Sequence, residues 1–134
     1  MPDPALPSPG AQLRQARELG INFFDTAHEY GFGEAERILG GALRADPTFD
    51  REDVVIATKA GFVFRDGARL VDTSRAALLD DLRGSLERLG TDHVDLWQVH
   101  AWGHAPLEET LAALDYAVAS GMARYVGLSN FVGW

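Results

Sequence analysis

Val54-Val55-Ile56-Ala57-Thr58-Lys59 is a β-branched, apolar run that stops at a cation. Such a run, bounded by polar residues, marks a strand covered on both faces. Lys59 is the only lysine of the chain, and every other basic residue is arginine. Outward from this point the same arrangement recurs. Phe23-Phe24 leads into Asp25, Val94-Asp95-Leu96-Trp97-Gln98-Val99 leads into His100, and Val126-Gly127-Leu128 leads into Ser129-Asn130. In a barrel of alternating strands and helices, chemistry gathers where the parallel strands end. An acid, an amine, an imidazole and an amide at four strand ends therefore point to one site on one face.

The segments between these runs carry helical signals. Ser8 can cap a helix with Pro9 at its first position, and Gly20 stops it. The first strand is expected over residues 21–26. A helix over 34–43 places Ala35, Ile38, Leu39 and Ala42 on one side, and the second strand follows over 53–58. Between Gly61 and Val71, Asp66-Gly67 separates two β-rich triplets, which is a hairpin signal. Thr73 or Ser74 starts a third helix with a stripe of Leu78, Leu79, Leu82, Leu86 and Leu89, and Gly90 ends it. Strand three covers 94–99. Leu107, Leu111, Leu114 and Val118 mark a fourth helix ending at Gly121, before strand four over 124–128. Alternating order implies parallel pairing through crossovers, with strands apolar on both faces. Periodicity alone does not separate a doubly wound sheet from a barrel; the strand-end residues favour the barrel.

Composition narrows the function classes. A chain of 134 residues with 46% apolar content can bury a core. A net charge of -8 argues against a nucleic-acid partner, which requires clustered lysine and arginine. The absence of cysteine removes disulfides and thiolate metal sites and fits the cytoplasm. No run approaches the roughly 18 apolar residues of a membrane span. Met1-Pro2-Asp3-Pro4-Ala5-Leu6-Pro7-Ser8-Pro9 lacks the features of a signal peptide and reads as a disordered lead-in over residues 1–9, before one domain over 10–134. His100 and His104 with Glu108 make a poor metal site, because Gly103 and Pro106 break helical spacing. No His-x-His pair supports a metal-dependent hydrolase.

The strand-end set suits proton donation to a carbonyl oxygen. Tyr30 lies five residues beyond Asp25, close enough to return over the barrel mouth. Tyrosine ordinarily holds its proton to about pH 10, and a neighbouring ammonium stabilises the phenolate. Lys59 can supply that charge, and Asp25 can keep Lys59 protonated in an interior where a lone charge would neutralise. His100 can polarise the oxygen or share the proton. The missing part is a hydride donor. Trp102 and Phe62 are candidates for lining the substrate pocket, with plain packing as the alternative.

Several stretches together resemble the aldo-keto reductases: Gly20-Ile21-Asn22-Phe23-Phe24-Asp25-Thr26-Ala27, Tyr30-Gly31 with Gly33-Glu34, Thr58-Lys59, Leu89 through His100, and Gly127-Leu128-Ser129-Asn130-Phe131. They occur in the family's order. The resemblance implies that Asp25, Tyr30, Lys59 and His100 form a catalytic tetrad with Tyr30 as proton donor. It implies that Ser129 and Asn130 hold the nicotinamide carboxamide, with Asp25 and Thr26 near its ribose. Reduction of a small aldehyde or ketone by NADPH, with NADH as the alternative cofactor, is the function it implies. The second reading is a non-enzymatic regulatory or binding subunit, or an inactive remnant, on the same scaffold.

The family fold is an eight-stranded (β/α)8 TIM barrel. The resemblance covers its second to fifth strands, so a partial barrel of about four parallel strands is expected. Such a half-barrel leaves two open edges, with a tendency to self-associate, and weak NADPH affinity for this chain alone.

Overall fold

Strands β1 (Phe23–Asp25), β2 (Val55–Ala60), β5 (Val94–Val99) and β6 (Ala123–Leu128) pair in parallel in the order β1-β2-β5-β6. Between and before them run α1 (Pro9–Glu18), α2 (Glu34–Ala45), α3 (Arg75–Leu89) and α4 (Leu107–Ala119). A separate antiparallel hairpin, β3 (Phe62–Arg65) and β4 (Ala68–Val71), follows β2 directly. This computed structural model describes residues 6–133. The first five residues of the lead-in expected to be disordered lie outside the described residues, and Pro9 is already the first residue of α1.

Local chemistry explains the elements. The Ser8 hydroxyl accepts the Ala11 amide at 3.2 Å, which satisfies one free donor of α1. The leucine stripe of α3 is its buried side, with Leu78 and Leu82 fully buried. Gly90 ends that helix at φ 69, a left-handed value that glycine adopts freely. The start of α3 is set differently from the simplest expectation. Ser74 occupies the cap without a side-chain bond, and the Asp72 carboxylate accepts the Ser74 amide instead. In the hairpin, Asp66 and Gly67 both have positive φ, at 51 and 78, as a two-residue turn between twisted strands requires.

Register decides which side chains share a face. Asp25 lies beside Ala57, Lys59 beside Gln98, and Gln98 beside Gly127. Residues two apart point the same way, so Asp25, Lys59, Gln98 and His100 belong to one side. Ile56, Thr58, Trp97 and Val99 belong to the other and are almost completely buried beneath the helices. Burying each large apolar side chain contributes roughly 1.5–3 kcal/mol. The helix side is dry at the central strands β2 and β5, while Val126 and Leu128 on the same side of β6 are exposed, contrary to the expectation of strands apolar on both faces. The opposite, concave side bears polar groups and the exposed rings of Phe23 and Tyr125.

Several boundaries differ from the sequence reading, two of them at the site. β1 is limited to three residues, and β2 runs on through Lys59 to Ala60. Ladder bonding nevertheless continues past the strand ends. The amides of Thr26 and His28 donate to the carbonyls of Ala57 and Lys59, His100 donates to Ala60, and Ser129 donates to Val99. The backbone beneath the site residues is therefore fixed by the sheet. On the helix side, α2 approaches the end of α3 so closely that a Cβ at Gly40 would lie 2.2 Å from the Leu89 carbonyl oxygen. Among the described residues, no helix is long and apolar enough to cross a membrane.

Candidate active site

Lys59 is the centre of the polar face. Its side chain is 10% exposed, and its ammonium donates to Asp25 Oδ2 at 2.6 Å and to the Thr26 carbonyl at 2.9 Å. An ammonium so enclosed needs this pairing, because an unpartnered buried charge is strongly disfavoured. Asp25 itself is about half exposed, so its second oxygen remains open to the concave side.

Tyr30 begins a tight turn, Tyr30–Gly33, in which Gly31, Phe32 and Gly33 all have positive φ. The turn reverses the chain immediately after Tyr30 and leads into α2. The Lys59 ammonium lies 5.3 Å from the Tyr30 ring centroid. His100, the residue after β5, meets the same ring edge-on with centroids 5.8 Å apart. The four expected residues Asp25, Tyr30, Lys59 and His100 are thus neighbours, although the chain separates the Asp25–Tyr30 segment, Lys59 and His100 widely. Tyr30 is substantially exposed, so a substrate can approach its ring from the open side.

Burial is the main cause that holds the His100 imidazole below its ordinary pKa, and Lys59, Arg69 and His28 push the same way. The Glu29 carboxylate opposes them. His100 is accordingly a neutral ring at pH 7 that can exchange hydrogen bonds without carrying a fixed charge.

Ser129 and Asn130 follow β6 at the same end of the sheet. Asn130 adopts φ 57, and its carboxamide nitrogen donates to the His100 carbonyl at 2.8 Å and to the Ser129 hydroxyl at 3.2 Å. This positive φ fits asparagine, one of the few non-glycine residues that tolerates it. Thr26 is buried, and its hydroxyl has no hydrogen-bond partner. Thr26, the neighbour of Asp25, turns this buried hydroxyl to the helix side. A carboxylate oxygen of Asp25, the Ser129 hydroxyl and the Asn130 amide oxygen form a donor and acceptor set. They suit the carboxamide and ribose hydroxyls of a nicotinamide cofactor.

The sequence reading passed over several residues. Glu29 has a side chain only 7% exposed and forms a bidentate pair with Arg69 of β4 at 2.7 and 2.8 Å. Phe62 packs edge-on against His100 with centroids 5.0 Å apart, and the Arg69 guanidinium lies 3.6 Å over the Phe62 ring. Trp102 stacks on Phe131 instead. Beneath the hairpin, His28 lies 3.6 Å from Asp81. Burial raises the Asp81 carboxyl pKa, while His28 and Arg88 counter the rise. A half-open cleft of about 200 Å³, lined by Leu43, Phe49 and Arg51 among others, lies at the opposite end of the strands. The reactive groups sit on an open shelf. Among the described residues, no three His, Asp or Glu side chains gather as a metal site.

Comparison with known proteins agrees with this geometry. The family model for the aldo/keto reductase family matches residues 9–134. The chain is 43% identical over 130 residues to L-glyceraldehyde 3-phosphate reductase of Escherichia coli K12, an alignment covering 95% of this chain and 38% of that relative. The fold superposes on the glycerol dehydrogenase of Gluconobacter oxydans with a TM-score of 0.82 and 32% identity, over 92% of this chain and 38% of that one. It matches an aldo-keto reductase of Klebsiella pneumoniae in complex with NADPH at TM-score 0.77 and 32% identity, over 94% of this chain and 40% of that one. The chain spans about two fifths of the length of these relatives. The parallel sheet, the strand-end chemistry and the match over nearly the whole sequence carry one conclusion: this chain belongs to the aldo/keto reductase family.

Proposed function

We propose that this chain supplies the catalytic face of an enzyme that reduces an aldehyde or ketone to an alcohol with NADPH, or NADH in its place. The observation that carries the proposal is the grouping of Tyr30 with the Lys59 ammonium and the His100 ring, 5.3 and 5.8 Å from its centroid. When bound, the nicotinamide supplies the hydride for the carbonyl carbon. The Tyr30 hydroxyl gives its proton to the carbonyl oxygen. Lys59 stabilises the phenolate that this leaves, and Asp25 keeps Lys59 charged. His100 shares a hydrogen bond at the reacting oxygen. Ser129, Asn130 and Asp25 would hold the nicotinamide and its ribose, with the Thr26 carbonyl acting from beneath on Lys59.

A small carbonyl compound suits the open shelf, and the acidic surface favours no nucleic acid. The cytoplasm is the proposed location. The alternative of a non-enzymatic subunit is not favoured, because such a role gives no reason to keep the acid, amine, phenol and imidazole together.

The test is NADPH oxidation with an aromatic aldehyde, followed by absorbance, in the protein at the length its gene encodes. Tyr30→Phe should lower turnover by about 10²–10⁴-fold, the usual worth of a general acid. Turnover unchanged in Tyr30→Phe would sink the proposal.

A further inference from the structure

Arg69 of β4 is a fixed cation at the rim of the site that the reaction as described does not use. Its Nη2 and Nε donate to the two oxygens of Glu29 at 2.7 and 2.8 Å. Glu29 is the residue before Tyr30, and its own side chain is buried. The guanidinium also lies 3.6 Å over the Phe62 ring, and Phe62 packs edge-on against His100. One phenyl ring therefore separates Arg69 from the imidazole, while the Arg69 side chain remains 52% exposed.

A guanidinium carries its N–H groups on a planar fork, and Glu29 occupies only the Nε and Nη2 edge. Nη1 and the second hydrogen of Nη2 form another two-donor edge, whose spacing matches a planar carboxylate. Ordering a long, flexible side chain ordinarily weakens binding, but Glu29 and Phe62 already hold this one in place. Pairing with Glu29 is the main cause that keeps the Arg69 guanidinium above its ordinary pKa; burial opposes it, and the Tyr30 phenolate adds to it. The charge is therefore permanent and within electrostatic reach of the reacting hydroxyl. Lys59 offers no comparable handle, since its ammonium is enclosed and spent on Asp25 and the Thr26 carbonyl.

We infer that Arg69 is a specificity-determining residue: its free N–H edge receives a carboxylate carried by the carbonyl substrate. This rests on the proposed carbonyl reduction and names its substrate class, aldehydes or ketones that bear a carboxylate away from the reacting carbon. Glu29 cancels the net charge of the pair, and the chain as a whole is acidic at -8. Attraction thus comes from directed hydrogen bonds at short range and not from a broad positive field. At a half-exposed guanidinium this corresponds to about tenfold in discrimination.

The test compares 4-carboxybenzaldehyde with its methyl ester, methyl 4-formylbenzoate, in the protein at the length its gene encodes. The two substrates differ in charge and keep similar aldehydes. The parent should favour the acid by about tenfold in kcat/KM, chiefly through a lower KM. Arg69→Gln should abolish that preference, and Arg69→Lys should retain part of it. Arg65→Gln removes an equal charge from the same hairpin, where Arg65 pairs with Asp72, and should leave the preference intact. The ratio between substrates cancels any general loss of turnover in a variant. No preference in the parent, an undiminished one in Arg69→Gln, or an equal loss in Arg65→Gln would overturn the inference.

Binding gives a second readout that needs no turnover. The Arg69 Nε–H signal in NMR, assigned with Arg69→Lys, should shift and saturate with the product 4-(hydroxymethyl)benzoate and stay fixed with its methyl ester. A signal indifferent to the acid counts against the inference even if the variants fail to fold. Failure of the reductase reading shows separately, as unchanged turnover in Tyr30→Phe or no turnover of either aldehyde, and leaves the binding result standing.

Discussion

Individual side chains differ sharply in how far their roles are visible before folding. Asp25, Lys59 and His100 each interrupt an apolar run, so their positions at one end of the sheet follow from pattern and parity. Glu29 and Arg69 do not interrupt anything. They are a loop acid and a hairpin base 40 residues apart in the chain, and their pairing depends on where the hairpin lands. His100 yields a prediction at this scale. Burial lowers its folded-state pKa below the ordinary 6.5. Above pH 6.5 the ring is neutral in both states and adds no pH dependence. As pH falls below that value the unfolded chain takes the proton first, so stability declines until the lower, folded pKa is reached. Urea midpoints above and below pH 6.5 should differ more in the parent than in His100→Gln. Equal differences would show that the imidazole is not responsible.

Secondary-structure elements were largely legible, because their signals are local. The leucine stripe, Gly90 and Asp66-Gly67 fix α3 and the hairpin with no help from distant residues. The passage of β2 through Lys59 was not legible, since a lysine inside a buried strand becomes acceptable only once Asp25 and the Thr26 carbonyl are in place. A second buried charge holds three elements together. Glu36 of α2 is fully buried; it accepts the Thr58 hydroxyl of β2 at 2.5 Å and pairs with Arg88 of α3 at 2.7 Å. Arg88→Leu would leave that carboxylate buried without its cation, at a cost of about 3–5 kcal/mol. Denaturant unfolding checks this, and Glu36→Gln added to Arg88→Leu should recover part of the loss. A midpoint unchanged in Arg88→Leu would mean that water already replaces the guanidinium.

For the whole molecule, family and architecture followed from the order of motifs, whereas assembly did not. Within the described sheet, β1 and β6 each have one unpaired side. Tyr125 is 75% exposed on the concave face, and Phe23 is 49% exposed. An uncovered strand edge beside exposed rings favours association. Sedimentation of this chain should therefore show mass rising with concentration, and Tyr125→Lys should weaken the effect several-fold. A concentration-independent monomer would exclude it.

The enclosed ammonium of Lys59 has one more consequence. With a single ε-amine in the sequence, and that one withdrawn from water, acylating reagents have no fast side-chain target on the native molecule. Modification at residue 59 must wait for the Asp25 contact to open. Its rate relative to a free amine is then a direct gauge of how often the heart of the sheet breathes.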